Sequence, residues 1–110
     1  VTILAMALLL AGGPQLPSYP EALRCAGYTQ ARWETQTDKA TPEARQFRKV
    51  AEFWSFAAMD AARVAGKTSA GAEADQVKAR AEAHALLESD ADAAGLILLA
   101  CEKLMPAGVV

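Results

Sequence analysis

The sequence predicts an all-α domain: a small up-down-up-down four-helix bundle that follows a signal-like apolar segment and a proline-rich linker. Three observations carry that prediction. Helix start signals, a Ser or Thr followed closely by Pro and Glu in the two clearest cases, precede stretches whose apolar residues recur at spacings of three and four. No stretch alternates apolar and polar residues as a half-buried strand does. The only two cysteines, Cys25 and Cys101, sit near opposite ends of the helical region. An antiparallel first and last helix, in a bundle with short connections, would bring them to the same end.

Residues 1–13 read as a signal-like segment. Ile3 to Ala11 carries no charge, and Ala11 and Gly13 have the small-x-small spacing of a cleavage site. Gly13 stands where a lipoprotein signal would need cysteine. The run is far shorter than the ~20 apolar residues of a bilayer crossing, so no permanent membrane span is expected. A cleaved signal, an uncleaved anchor and a buried first helix all remain open. Residues 14–18 form the linker, where Pro14 and Pro17 rule out a continuous helix. The bundle domain then spans 19–105, and 106–110 is a C-terminal tail.

Ser18 and Glu21 have the capping-box spacing, with Pro20 tolerated in the first turn, so a first helix is expected from about Tyr19 to about Thr37. Its apolar stripe is Ala22, Cys25, Ala26, Thr29 and Trp33. Thr41-Pro42-Glu43 opens the second, with an N-cap, a proline at the first position and an acid in the first turn. Phe47, Val50, Ala51, Trp54, Ala57, Ala58, Ala61 and Ala65 hold one face, and Gly66 ends it. This is expected to be the central helix. Thr68 or Ser69 caps a third helix, roughly Ala70 to Glu88, with Ala72, Ala79, Ala83, Leu86 and Leu87 as its core face and Val77 on a flank. Ser89 or Asp90 caps a fourth, ended by Pro106. There Ala94, Leu98, Cys101 and Met105 share a face. Leu96, Ile97 and Leu99 extend the apolar character nearly all round, which predicts the most buried helix.

The bulk numbers confine the function more than they specify it. A chain of 110 residues, 53% hydrophobic and 22% charged, is one globular domain. A formal charge of −2 gives no reason to expect nucleic acid, which wants a basic face. Eight Lys/Arg against six Asp/Glu in residues 1–67, and three against seven in 68–110, make a mild dipole that solvates different helix faces. The cysteines lack Cys-x-x-Cys spacing, so a structural disulfide in an oxidising compartment is expected, with two buried thiols or intermolecular pairing as the alternatives. Closing so long a ring is worth about 4 kcal/mol in the loop-entropy view.

No constellation for catalysis stands out. His84 is the only histidine, and Arg80 and Glu88 at four-residue spacing read as a surface ladder around a partly exposed side chain. No second His and no spare Cys stand ready for a metal site. The acids fall on polar faces and the hydroxyls at caps or on helix faces, so neither a carboxylate pair nor an activated nucleophile forms. The expectation is a non-enzyme without a cofactor. Aromatic residues cluster in the first two helices. Trp33 and Trp54 fit the core stripe. Phe56 projects opposite Phe47, beside Lys49, Asp60 and Arg63. A helix contacted on both sides would bury it. Otherwise Phe53 and Phe56 make an exposed apolar patch, the candidate interaction surface.

The segment Leu23-Arg24-Cys25-Ala26-Gly27, the Phe53-Trp54 centre and Ala100-Cys101 resemble short, uncharacterised exported bacterial helical proteins with one disulfide. The resemblance covers most of the chain beyond the signal-like segment and implies no known activity. A looser architectural similarity is to small periplasmic acid-stress chaperones, with which no motif is shared. The resulting expectation is a periplasmic or secreted protein that binds a protein partner, chaperone-like. The alternative is a carrier of a small apolar ligand in the bundle interior near Trp33 and Trp54.

Overall fold

A computed structural model describes residues 17–108, so the signal-like segment 1–13, most of the linker and the last two residues lie outside the described residues. Four helices follow one another: α1 (Tyr19–Glu34), α2 (Pro42–Val64), α3 (Ser69–Ser89) and α4 (Ala91–Lys103), with no strand among the described residues. Each begins where its cap dictates. The Ser18 hydroxyl accepts from Glu21 N while the Glu21 carboxylate accepts from Ser18 N, a complete capping box. Thr41 and Thr68 accept from the backbone N–H three residues on, each at 3.0 Å. Gly66, at φ 78°, takes the left-handed turn that ends α2. Asp90 alone separates α3 from α4, closing one with its N–H and capping the other with its carboxylate. The first helix is shorter than its pattern suggested, stopping at Glu34 rather than near Thr37.

The helices alternate in direction as expected. Arg32 near the end of α1 lies over the Phe47 ring near the start of α2, 4.0 Å from its centroid, as in an antiparallel pair. Tyr19 at the start of α1 meets Asp75 early in α3, and Glu34 at the end of α1 meets His84 late in α3, so α1 and α3 run parallel. Cys25 and Cys101 are joined in a disulfide, Cα to Cα 5.6 Å, which fastens α4 to α1.

The centre of the fold is α1, not α2. It packs against all three other helices, and Ala22, Cys25, Ala26, Gly27, Tyr28, Thr29 and Ala31 are buried around most of its circumference. The Thr29 hydroxyl, sealed from solvent, donates to Cys25 O at 2.6 Å and so costs nothing unsatisfied. One apolar cluster joins Ala22, Cys25 and Ala26 to Val50, Trp54, Ala58 and Cys101. A second joins Tyr28 and Ala31 to Ala83, Ala94 and Leu98. Ile97 touches both.

Small residues explain why α1 took this place. A Cβ built on Gly27 would stand 2.7 Å from Ala79 O, so the backbones of α1 and α3 touch where Gly27 meets Ala79. No residue larger than glycine fits that crossing unless one helix moves. In a square bundle α1 and α3 would be diagonal. Here they are close-packed, and α3 sits against α1 while making only slight contact with α2. The expectation that α4 is the most buried helix is likewise corrected. Ala94, Leu98 and Cys101 are buried as predicted, but Leu96 and Leu99 face solvent. Among the described residues, α4 is held on one side only and its far face is left exposed.

Candidate functional site

Because α3 leans on α1, the space between α2 and α3 stays open as a groove of about 810 Å³. Its α2 wall carries Phe56, Met59 and Ala62, and its α3 wall carries Ala72, Gln76 and Val77. Lys67, Thr68 and Ser69 bound it at the connecting loop. Phe56 is 65% exposed, Met59 52% and Val77 51%, an uncovered apolar set on both walls. These side chains, exposed together on two facing walls, make the groove the candidate interaction surface.

Most of the groove's charges are already matched within the chain. Arg63 pairs with Asp60 one turn away on the α2 rim. Lys67 reaches Asp75 at 3.3 Å, and Arg80 stands 3.9 Å from Glu34 of α1. Glu73 is the one lining charge without an ion-pair partner among the described residues. Beyond Glu73, Gln76 and the hydroxyls of Thr68 and Ser69, what remains available to a ligand is apolar.

Two polar clusters hold the groove's α3 wall to α1. At the loop end the Tyr19 hydroxyl donates to Asp75 Oδ2 at 2.7 Å, and the Lys67 ammonium lies 5.6 Å above the Tyr19 ring. Burial, then the hydrogen bond and charge of Asp75, push the Tyr19 phenol up from 10.0 to about 12. A raised acid stabilises the fold fully below its unfolded value, and that contribution is lost as pH rises through the folded value. The stability gap between the protein and Tyr19→Phe, measured by urea unfolding, should therefore be constant to about pH 10 and close between pH 10 and 12. A gap independent of pH over that window would contradict the assignment.

At the other end Glu34 accepts from Gln30 Nε2 at 3.2 Å and lies 2.7 Å from His84 Nε2. Its burial raises the carboxyl pKa, but the hydrogen bonds from His84 and Gln30 and the nearby Arg80 charge outweigh that and hold it below 4.5. This contribution is present above the unfolded value and fades as pH falls through the folded one. His84 is partly exposed, as expected, but the surface ladder with Glu88 is not its setting. Both His84 and Arg80 turn to Glu34, fifty residues earlier in the case of His84, and clamp α3 to α1.

The candidate aromatic pair divides. Phe56 stands at the groove's lip, 65% exposed, and no helix among the described residues packs on that side of α2. Phe53 is half-buried and turns to the core, edge-on to Trp54 at 5.2 Å. Met59 and Val77 take its place in the exposed surface. The sequence pattern puts Val77 only on the flank of its helix, and Met59 carries no signal beyond its i+3 spacing from Phe56. The tryptophans part company too. Trp54 is fully buried, whereas Trp33 is half-buried beneath Lys39, 5.2 Å away. Neither lines the groove.

Among the described residues no group of three or more His, Cys, Asp or Glu is placed to hold a metal ion, and no helix is long and apolar enough to cross a membrane. No protein-family model, curated protein or solved structure matches this chain.

Proposed function

We propose that this is an exported, non-catalytic binding protein whose α2–α3 groove takes an apolar segment of a protein partner. The observation that carries the reading is the pairing of Phe56 and Met59 with Val77 across an open groove whose charges are largely neutralised from within. The Cys25–Cys101 disulfide supports export, since such bonds persist in oxidising compartments such as the periplasm or the extracellular space. The signal-like run Ile3–Ala11 supports it from the sequence. Recognition that is mostly apolar, with Glu73 the one unpaired charge at the groove, suits a chaperone-like role, in which many sequences are held weakly.

The alternative, an apolar-ligand carrier, rests on one observation. The Trp54 Nε1–H is buried without an acceptor among the described residues, and a ligand could supply one. Trp33 lies outside that cluster, which leaves Trp54 as the one tryptophan of the interior.

Phe56→Ser separates the readings. The exported protein should bind a fluorescent, leucine- and alanine-rich peptide, followed by anisotropy. The variant should weaken that binding about 30-fold, the equivalent of about 2 kcal/mol for one buried phenyl ring. Its helical ellipticity and melting temperature should stay unchanged, because the side chain is exposed. Equal affinity in the two proteins would remove the groove from the account.

A further inference from the structure

We infer that the outer face of α4 is a dimer seam, on which a second copy of this chain docks with its own α4 running antiparallel. No residue of α4 lines the α2–α3 groove, and the inference does not rest on the reading of that groove. Four residues make the seam. Asp92, Leu96, Leu99 and Lys103 recur at steps of four, three and four, so they stand in one row along the helix, and all four are exposed. Leu96 is 70% exposed and Leu99 48%, because α4 turns Ala94, Leu98 and Cys101 into the two core clusters. Gly95 and Ala100, both exposed, flank the row, and neither is bulky enough to hold a neighbouring helix away.

The row is complementary to its own reverse. A two-fold axis midway between Leu96 and Leu99 sets Leu96 against Leu99 of the second copy, and Leu99 against Leu96 of the second copy. The same axis brings Asp92 opposite Lys103 of the second copy at one end and Lys103 opposite Asp92 of the second copy at the other. Gly95 falls opposite Ala100. Both end charges are free to pair. Glu102, the other charged residue of α4, is held by Arg32 at 2.7 Å, whereas Asp92 and Lys103 have no ion-pair partner among the described residues. A parallel pair would set Asp92 on Asp92 and Lys103 on Lys103, and like charges so placed repel. Sliding one antiparallel helix by a turn would part Asp92 from Lys103. The one arrangement that faces leucine to leucine in both halves is therefore the one that matches the ions.

The second copy covers the leucines that the fold itself leaves bare. The Cys25–Cys101 disulfide, on the inner side of α4, keeps the helix from rolling them inward. From Asp92 to Lys103 the seam is about 17 Å long, at about 1.5 Å per helical residue. One helix wide, it falls short of the about 1,200 Å² that a stable interface buries, so the dimer is weak, half-formed at a concentration on the order of 100 µM. Each dimer carries two α2–α3 grooves. Where the groove does bind an apolar segment, a partner with two such segments is held by avidity.

The test is sedimentation equilibrium of the full 110-residue chain, disulfide intact, from about 10 µM to about 1 mM. The expected result is a monomer–dimer equilibrium that Leu96→Ser weakens at least about tenfold, with helical ellipticity unchanged because the side chain is exposed. Asp92→Lys and Lys103→Asp, each alone, should also weaken self-association about tenfold, since each places like charges across the seam twice. Mixed in equal amounts, these two variants should associate within about threefold of the unaltered chain, because their heterodimer has opposite charges at both ends again. Phe56→Ser should leave self-association unchanged. A chain that stays monomeric over the whole range, a dimer indifferent to both charge reversals, or a mixture without recovery would overturn the inference. A dimer lost with Phe56→Ser but kept with Leu96→Ser would put the second copy on the groove, and would overturn it as well.

Discussion

Gly27→Ala should destabilise the protein by about 2 kcal/mol and lower its melting temperature by roughly 10 °C. An added Cβ would press on Ala79 O at 2.7 Å and Ala79 C at 2.8 Å, both backbone atoms that no rotamer change can remove. Overpacking of that kind costs about 1–3 kcal/mol, and more where backbone must move, against which alanine's better helix propensity returns about 1 kcal/mol. For a domain of this size each kcal/mol corresponds to about 4–8 °C. Gly95→Ala is the matched control. That position, exposed on α4, has nothing within 4 Å of a built Cβ. There only the propensity term acts, and stability should rise by about 0.5–1 kcal/mol. Thermal unfolding of the two variants with opposite signs would establish the α1–α3 crossing. A neutral or stabilising Gly27→Ala would mean the helices are not in contact there.

The larger loss is expected from the disulfide. Replacing Cys25 and Cys101 together by alanine should cost about 4 kcal/mol, since the bond closes a ring across a separation of 76 residues. That is a large share of the about 5–15 kcal/mol that holds a domain of this kind. The sulfurs are also core atoms: both cysteines are buried in the cluster with Trp54, so their truncation removes packing as well. Urea unfolding at 222 nm reads the effect. Reductant should shift the midpoint of the parent protein strongly downward and leave the double variant unmoved. A parent protein indifferent to reductant would show that α4 is held by packing alone.

How far the sequence announced this molecule depends on the distance over which each determinant acts. Caps are local chemistry, and Ser18, Thr41, Thr68 and Asp90 begin their helices within one residue of where their side chains place them. The face of α2 is legible because Val50, Trp54 and Ala58 are large or regularly spaced, although the spacing points to Ala65, which is exposed, and not to Ala62, which is buried. What escaped was the order of importance among helices. Hydrophobicity ranked α2 and α4 above α1, yet α1 is central because glycine and alanine let neighbours approach it, a property of shape rather than of water-avoidance. Gly27 therefore gave no apolar signal while deciding where α3 sits. The groove followed from that choice, so Phe56 could be placed opposite the core face of α2 without its neighbour's absence being readable. The Glu34–His84 contact is a pairing across fifty residues that no local spacing reports.

We propose that the α2–α3 groove, opened by the α1–α3 crossing, binds an apolar segment. The most direct test is titration of the isotopically labelled exported protein with the leucine- and alanine-rich peptide, followed by methyl and aromatic NMR. Shifts should concentrate at Phe56, Met59, Ala62, Ala72 and Val77, the groove's apolar lining, with Leu96 and Leu99 on the far side of α4 unaffected. Shifts centred on Leu96 and Leu99, or on Trp54 in the interior, would contradict it.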